Sequence, residues 1–208
     1  MPNYVRNLIK IVGGDFQTVA DFMKSEERPF DFNKLIPMPP SMLYLKKYKG
    51  ISLRSELGFK YWSAPTKRDK YTLIEEIKTK CYNVRQTLKE GLDRLYAYAD
   101  SGHWNSLEWA EANWGTKWNA VDIDVNSSDR TIFFNTAWCA PIPIYKALAK
   151  KFPTHKISIK YYDEGGWFAG YSDIKDGNEF GEDYESNSTQ GEAIINEINQ
   201  KIKGWYSK

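Results

Sequence analysis

Four tryptophans, Trp104, Trp109, Trp114 and Trp118, lead through Glu-Ala-Asn-Trp-Gly-Thr-Lys-Trp-Asn-Ala (111–120) towards a strand-like segment, with Trp138 and Tyr-Tyr-Asp-Glu-Gly-Gly-Trp-Phe-Ala-Gly (161–170) beyond it. Large rigid rings beside a few charged groups supply either a packed junction or a stacking pocket for a planar ligand. In the pocket reading, Trp114, Trp118, Trp138, Tyr161 and Phe168 offer stacking surface and Lys117 attracts phosphate. Asn135 or Glu164 then reads a base edge or a ribose hydroxyl, all of them lining a cleft between a sheet and a helical insertion. Gly165, Gly166 and Gly170 let a ligand approach the backbone. In the packing reading, which weighs slightly more, the indoles of Trp114, Trp118 and Trp138 seal the sheet where the chain re-enters it. Gly115 then permits the turn.

Other chemistry finds little footing. There is no Gly-x-x-x-x-Gly-Lys loop, Gly-x-Gly-x-x-Gly, Gly-x-Ser-x-Gly or His-Glu-x-x-His. His103 and His155 stand in Gly-His-Trp and Thr-His-Lys, without the paired His-x-Ser/Thr elements of a two-histidine phosphodiesterase, and a packing or surface role outweighs catalysis. Neither Cys81 nor Cys139 has an evident base beside it. Asp122 and Asp124, on one face of a strand, could hold a cation, but a wet strand face explains them more simply. Asp173, Asp176, Glu179, Glu182, Asp183 and Glu185 lack the spacing of a calcium loop and read as a solvated hairpin. No catalytic residue, metal or cofactor is expected.

The elements that must position these residues follow from hydrophobic period. The chain has 208 residues, 41% hydrophobic, 27% charged and 15% aromatic, enough to bury a core without metal or disulfide support. Val5–Val12 predicts a strand, and Asp15 caps a helix carrying Phe16, Val19, Ala20 and Met23. Phe30–Ile36 alternates as a second strand, stopped by Pro37. A helical insertion over 41–112 follows, in which Tyr71–Ala99 reads as one long amphipathic helix. Strands return at Val121–Val125 and Thr131–Trp138. A helix with Ile144, Leu148 and Phe152 on one face leads to strands over Lys156–Asp163 and Trp167–Ile174. One further strand and a final helix carrying Ile194, Ile195, Ile198, Ile202 and Trp205 complete the order. This predicts a single α+β domain over 1–208, a ferredoxin-like antiparallel sheet with helices on one face.

The blocks Met-Pro-Asn (1–3), Phe-Asp-Phe-Asn-Lys-Leu-Ile-Pro-Met-Pro (30–39), Asn-Trp-Gly-Thr-Lys-Trp-Asn-Ala (113–120), Phe-Asn-Thr-Ala-Trp-Cys-Ala-Pro (134–141) and 161–170 resemble the YubB-type ferredoxin-like proteins of phages, plasmids and related mobile elements. The resemblance implies a fold and a mobile-element origin, and brings no catalytic residues with it. The net charge of +2 falls far short of a dedicated nucleic-acid domain. Few cysteines, no signal-peptide pattern and no membrane-length apolar run predict a cytoplasmic protein, and the resemblance implies that the cytoplasm is that of a bacterial host. The expected function is a non-catalytic accessory protein that binds or sequesters a small nucleotide-type ligand to counter host defence. The alternative is a nucleic-acid or protein interaction module on an aromatic sheet, nucleic acid being the weaker partner. No membrane partner is expected, and the oligomeric state is open.

Overall fold

The computed structural model describes residues 3–45, 52–81 and 83–203, and the chain divides into two compact units, Met1–Pro37 with Ala110–Lys208, and Met38–Trp109. In chain order the elements are β1 (Tyr4–Gly13), α1 (Phe16–Met23), α2 (Pro40–Leu45), α3 (Leu53–Ser63), α4 (Lys67–Lys80), α5 (Val84–Ser101) and α6 (Ser106–Trp114). They continue as β2 (Val121–Asn126), β3 (Thr131–Ala137), α7 (Ile142–Lys151), β4 (Lys156–Asp163), β5 (Phe168–Lys175), β6 (Asn178–Glu185) and α8 (Thr189–Lys203).

The first unit is α+β, built on a six-stranded sheet in the order β2-β3-β1-β4-β5-β6 with every neighbour antiparallel. This is the expected class and sheet. β1 is central because its alternate residues Val5, Asn7, Ile9 and Ile11 are all buried, and Leu8 is buried on the other face. On the Leu8 face, Phe133, Tyr162 and Ala169 pack against Ile194, Ile198 and Ile202 of α8, three isoleucines one helical turn apart. Burying each contributes about 1.5–3 kcal/mol. α7 meets the Asn7 face, where the Tyr145 hydroxyl donates to Asn7 Oδ1 at 2.6 Å. Helices therefore lie on both faces of the sheet, because Leu8, Phe133, Tyr162 and Ala169 form a second apolar surface that needs its own cover. Trp205 lies outside the described residues.

Asn7 is fully buried and every polar atom of its side chain is used. Its amide donates to the carbonyls of Val5 and Phe134 and to the Thr136 hydroxyl, at 2.8, 3.2 and 3.0 Å. Burial pushes the Tyr145 hydroxyl well above its ordinary range, so it stays a donor.

Phe30–Ile36 is not the strand its alternation predicts. Asp31 accepts from the Asn33 N–H at 2.9 Å and caps a short 3-10 turn over Phe32–Lys34. Asn119 then clamps the turn, donating to Asp31 at 2.6 Å and accepting from the Phe32 N–H at 3.0 Å. The alternating phenylalanines enter an aromatic core instead of a sheet: Phe30 stacks on Phe134 at 4.9 Å, and Phe32 meets Trp114 edge-on at 5.8 Å. The predicted pairing of Asp122 with Asp124 on one strand face also fails. A bulge between Val121 and Asp124, with Asp122 at φ +50°, breaks the alternation.

In the second unit the expected single helix over Tyr71–Ala99 is two helices, α4 and α5. The apolar spacing runs through the break, but Cys81 turns extended and the Asn83 side chain accepts from the Gln86 N–H at 2.9 Å, starting α5 anew. α3 and α5 touch backbone to backbone at Gly58 and Gly91, where a Cβ on either would collide with the other helix. Arg94 of α5 is buried, bridging Glu90 at 3.3 Å and the Trp104 carbonyl at 3.0 Å, while Tyr98 stacks on Trp104 at 3.8 Å.

Two outcomes are expected. Gly91→Ala should lower stability by about 1–3 kcal/mol through overpacking, against the roughly 1 kcal/mol that helix propensity alone favours; urea denaturation reads the sign. Burial raises the Asp31 carboxyl pKa, but hydrogen bonds from Asn119, Asn33 and Ser25 outweigh burial and hold it below the ordinary 3.8. Its contribution is therefore whole above pH 3.8 and lost as pH falls through the lower folded value. Asp31→Asn should be less stable than the parent by about 1–3 kcal/mol at pH 7, with the gap closing in acid.

Candidate functional site

The stretch 113–120 reaches the end of β3 through Thr116, which is buried and exchanges hydrogen bonds with both backbone groups of Ala137, at 2.9 and 3.1 Å. This anchor brings Lys117 and Trp138 together. The Lys117 ammonium lies 5.1 Å from the centre of the Trp138 ring and 4.0 Å from a Glu111 carboxylate oxygen. Trp138 is 48% exposed and sits at φ +68°, a left-handed conformation that costs a bulky residue about 1–3 kcal/mol. Its N–H donates to the Asn3 carbonyl, pinning it to the start of β1.

The same end of the sheet carries Glu164, which accepts from the Tyr4 N–H at 2.8 Å and, through its own N–H, donates back to Tyr4. The turn of Gly165 and Gly166 holds Trp167 77% exposed. Cys139 is exposed beside this group, and its thiol is pushed up by burial of the sulfur and by Glu111, which keeps it protonated and a poor nucleophile.

The remaining predicted site residues disperse. Trp114 is 1% exposed and donates from its indole to the Ile36 carbonyl at 2.9 Å, a packed ring. Trp118 is half-buried. Asn135 donates to Asp122 at 3.0 Å on the face of the sheet opposite Tyr161, since Asn7 pairs with both Phe134 and Tyr161. Phe168 and Tyr161 do meet, edge-on at 6.5 Å. His155 is buried against Gly14, with Nε2 3.2 Å from the Asp15 carbonyl, and His103 is half-buried. Among the described residues no three of His, Cys, Asp and Glu gather to hold a metal ion.

Tyr161 leads to a feature that the reading of a solvated hairpin missed. On the α7 face, β6 presents Glu179, Gly181 and Asp183, with Tyr161 and, from α7, Ile142 and Lys146 completing a cleft of about 560 Å³. The Tyr161 hydroxyl donates to Asp183 at 2.8 Å across Gly170, where a Cβ would stand 2.6 Å from the tyrosine ring. Burial first, and Asp183 second, push this hydroxyl far up, so it remains a donor. Ser172 donates to Glu179 at 2.6 Å. The two-residue spacing Glu179-x-Gly181-x-Asp183 was the available signal, since it puts two carboxylates and a gap on one strand face.

Residues 113–201 match a family model described as the ferredoxin-like domain in Api92-like protein. No curated protein matches the chain. Among solved structures, a crystal structure of protein api92 from Yersinia pseudotuberculosis is similar over 90% of this chain and 99% of that one, at 12% identity and a TM-score of 0.47. Among the described residues no helix is long and apolar enough to cross a membrane.

Trp114→Phe, which leaves the Ile36 carbonyl without its donor, should cost about 1–3 kcal/mol. Trp167→Phe at the exposed turn should stay within about 0.5 kcal/mol of the parent. Chemical denaturation of the two variants separates the packed indole from the displayed one.

Proposed function

We propose that this chain binds a small nucleotide-type ligand at the Trp138 end of the sheet, as a non-catalytic accessory protein of a mobile element acting in the bacterial cytoplasm to sequester a host-defence signal. The observation that supports the reading is Trp138 itself. A half-exposed indole held in a strained left-handed conformation is a poor choice for packing and a good one for display. Its ring offers a stacking face, and Lys117 beside it supplies the charge that phosphate needs. Thr116 and Asn3 fix the backbone on either side, so little conformational freedom is lost on binding.

Calorimetry and thermal shift against cyclic and ADP-ribose-type nucleotides test this. A ligand at a hundredfold its Kd should stabilise the protein by about 2.7 kcal/mol. Trp138→Ala should weaken binding by about 1–3 kcal/mol, the worth of one stacked base. Lys117→Met should weaken phosphate-bearing ligands alone. Absence of a shift with every nucleotide rejects the proposal.

A further inference from the structure

β6 ends the sheet: β5 pairs with one side of it, and among the described residues no strand pairs with the other. Such an edge leaves a row of backbone donors and acceptors free to pair with another extended segment. Four of its eight residues are carboxylates, Glu179, Glu182, Asp183 and Glu185, and among the described residues none of them is ion-paired with a lysine or arginine. Acidic edges deter pairing between copies of the same chain, and here the opposite edge, β2, carries Asp122 and Asp124 and is acidic too. The charge that excludes a second copy attracts a basic strand.

The cleft gives that attraction a register. Glu179 and Asp183 face α7 with Gly181 between them, so the position opposite Gly181 has no side chain across from it and a carboxylate diagonally on each side. A lysine or arginine placed there enters the cleft beneath the Tyr161–Asp183 hydrogen bond. The next residue of the added strand points to the other face, where Glu182 accepts from the Tyr184 hydroxyl at 2.7 Å and pushes that hydroxyl up to about 12. Lys146 lines the cleft and offsets one charge, leaving the carboxylates in excess.

We propose that β6 is a docking edge for an extended basic segment of another protein, which adds as a seventh strand and places two consecutive Lys or Arg residues, one in the cleft and one at Glu182. This surface uses neither Trp138 nor Lys117 and stands apart from the nucleotide reading.

Fluorescence anisotropy with a labelled ten-residue peptide of β-forming residues around a central Lys-Arg pair tests it on the whole chain. We expect binding that weakens between roughly 50 and 200 mM salt, as screening of exposed charges over about 10 Å requires. The double variant Glu179→Gln, Asp183→Asn keeps the Ser172 and Tyr161 hydrogen bonds and should bind about tenfold more weakly, with an unchanged thermal melt. N-methylation of one set of alternate peptide amides should abolish binding and of the other set leave it, while Trp138→Ala binds as the parent does. The proposal is overturned if the peptide fails to bind folded protein, if a Glu-Glu peptide binds equally, or if both N-methylated peptides bind like the parent. Self-association through β6 in sedimentation, without peptide uptake, overturns it as well.

Discussion

The buried amide of Asn7 is the constraint on which the α+β unit depends. It sits on the central strand with no access to water, so an unmet donor or acceptor there would cost about 1–3 kcal/mol. The structure meets all of them at once by bringing β3 alongside and setting Tyr145 of α7 over the strand. An apolar residue would tolerate slippage of these elements. An amide satisfied by Phe134, Thr136 and Tyr145 tolerates only one arrangement, and that arrangement fixes Ala137, Trp138 and Tyr161 relative to β1.

From this frame the two surface features differ in electrostatic character. The Trp138 end couples an exposed ring to one cation near an acid, while the β6 cleft gathers carboxylates around a neutral tyrosine. A single patch serving both would have to bind opposite charges. Register keeps them apart, because Trp138 follows β3 at one end of the sheet and the carboxylates lie along the outermost strand four places away.

Most of the sheet was legible in the chain. β1, β2, β3, β4 and β5 lie within a residue or two of where alternation and turn residues place them: one face of β1, β4 and β5 is buried and leaves period two in the sequence, while β3 is buried throughout and reads as a short apolar run between turns. Phe30–Ile36 has the same period for another reason: its phenylalanines fill an aromatic core, and the deciding contact, Asn119 on Asp31, lies far along the chain. The α4–α5 break was hidden because both helices keep one apolar stripe in phase across it. Of the eight residues assembled as a site, Lys117 and Trp138 meet, Tyr161 and Phe168 meet elsewhere, and Trp114 is core. Ring type alone does not tell a displayed indole from a packed one; the backbone angle at Trp138 and the carbonyl beside Trp114 do, and neither is written in local sequence.

The central position of β1 also sets the order of events at the ribosome. Its two neighbours, β3 and β4, begin at Thr131 and Lys156, so the central strand emerges before either and waits for partners more than half the chain away. Meanwhile 38–109 forms a compact unit of its own, whose helix contacts, such as Gly58 on Gly91, span shorter stretches of chain and can form as it emerges. An early-born strand with a long unpaired interval is the segment a holding chaperone would meet, and the interval ends only when Asn7 is finally enclosed.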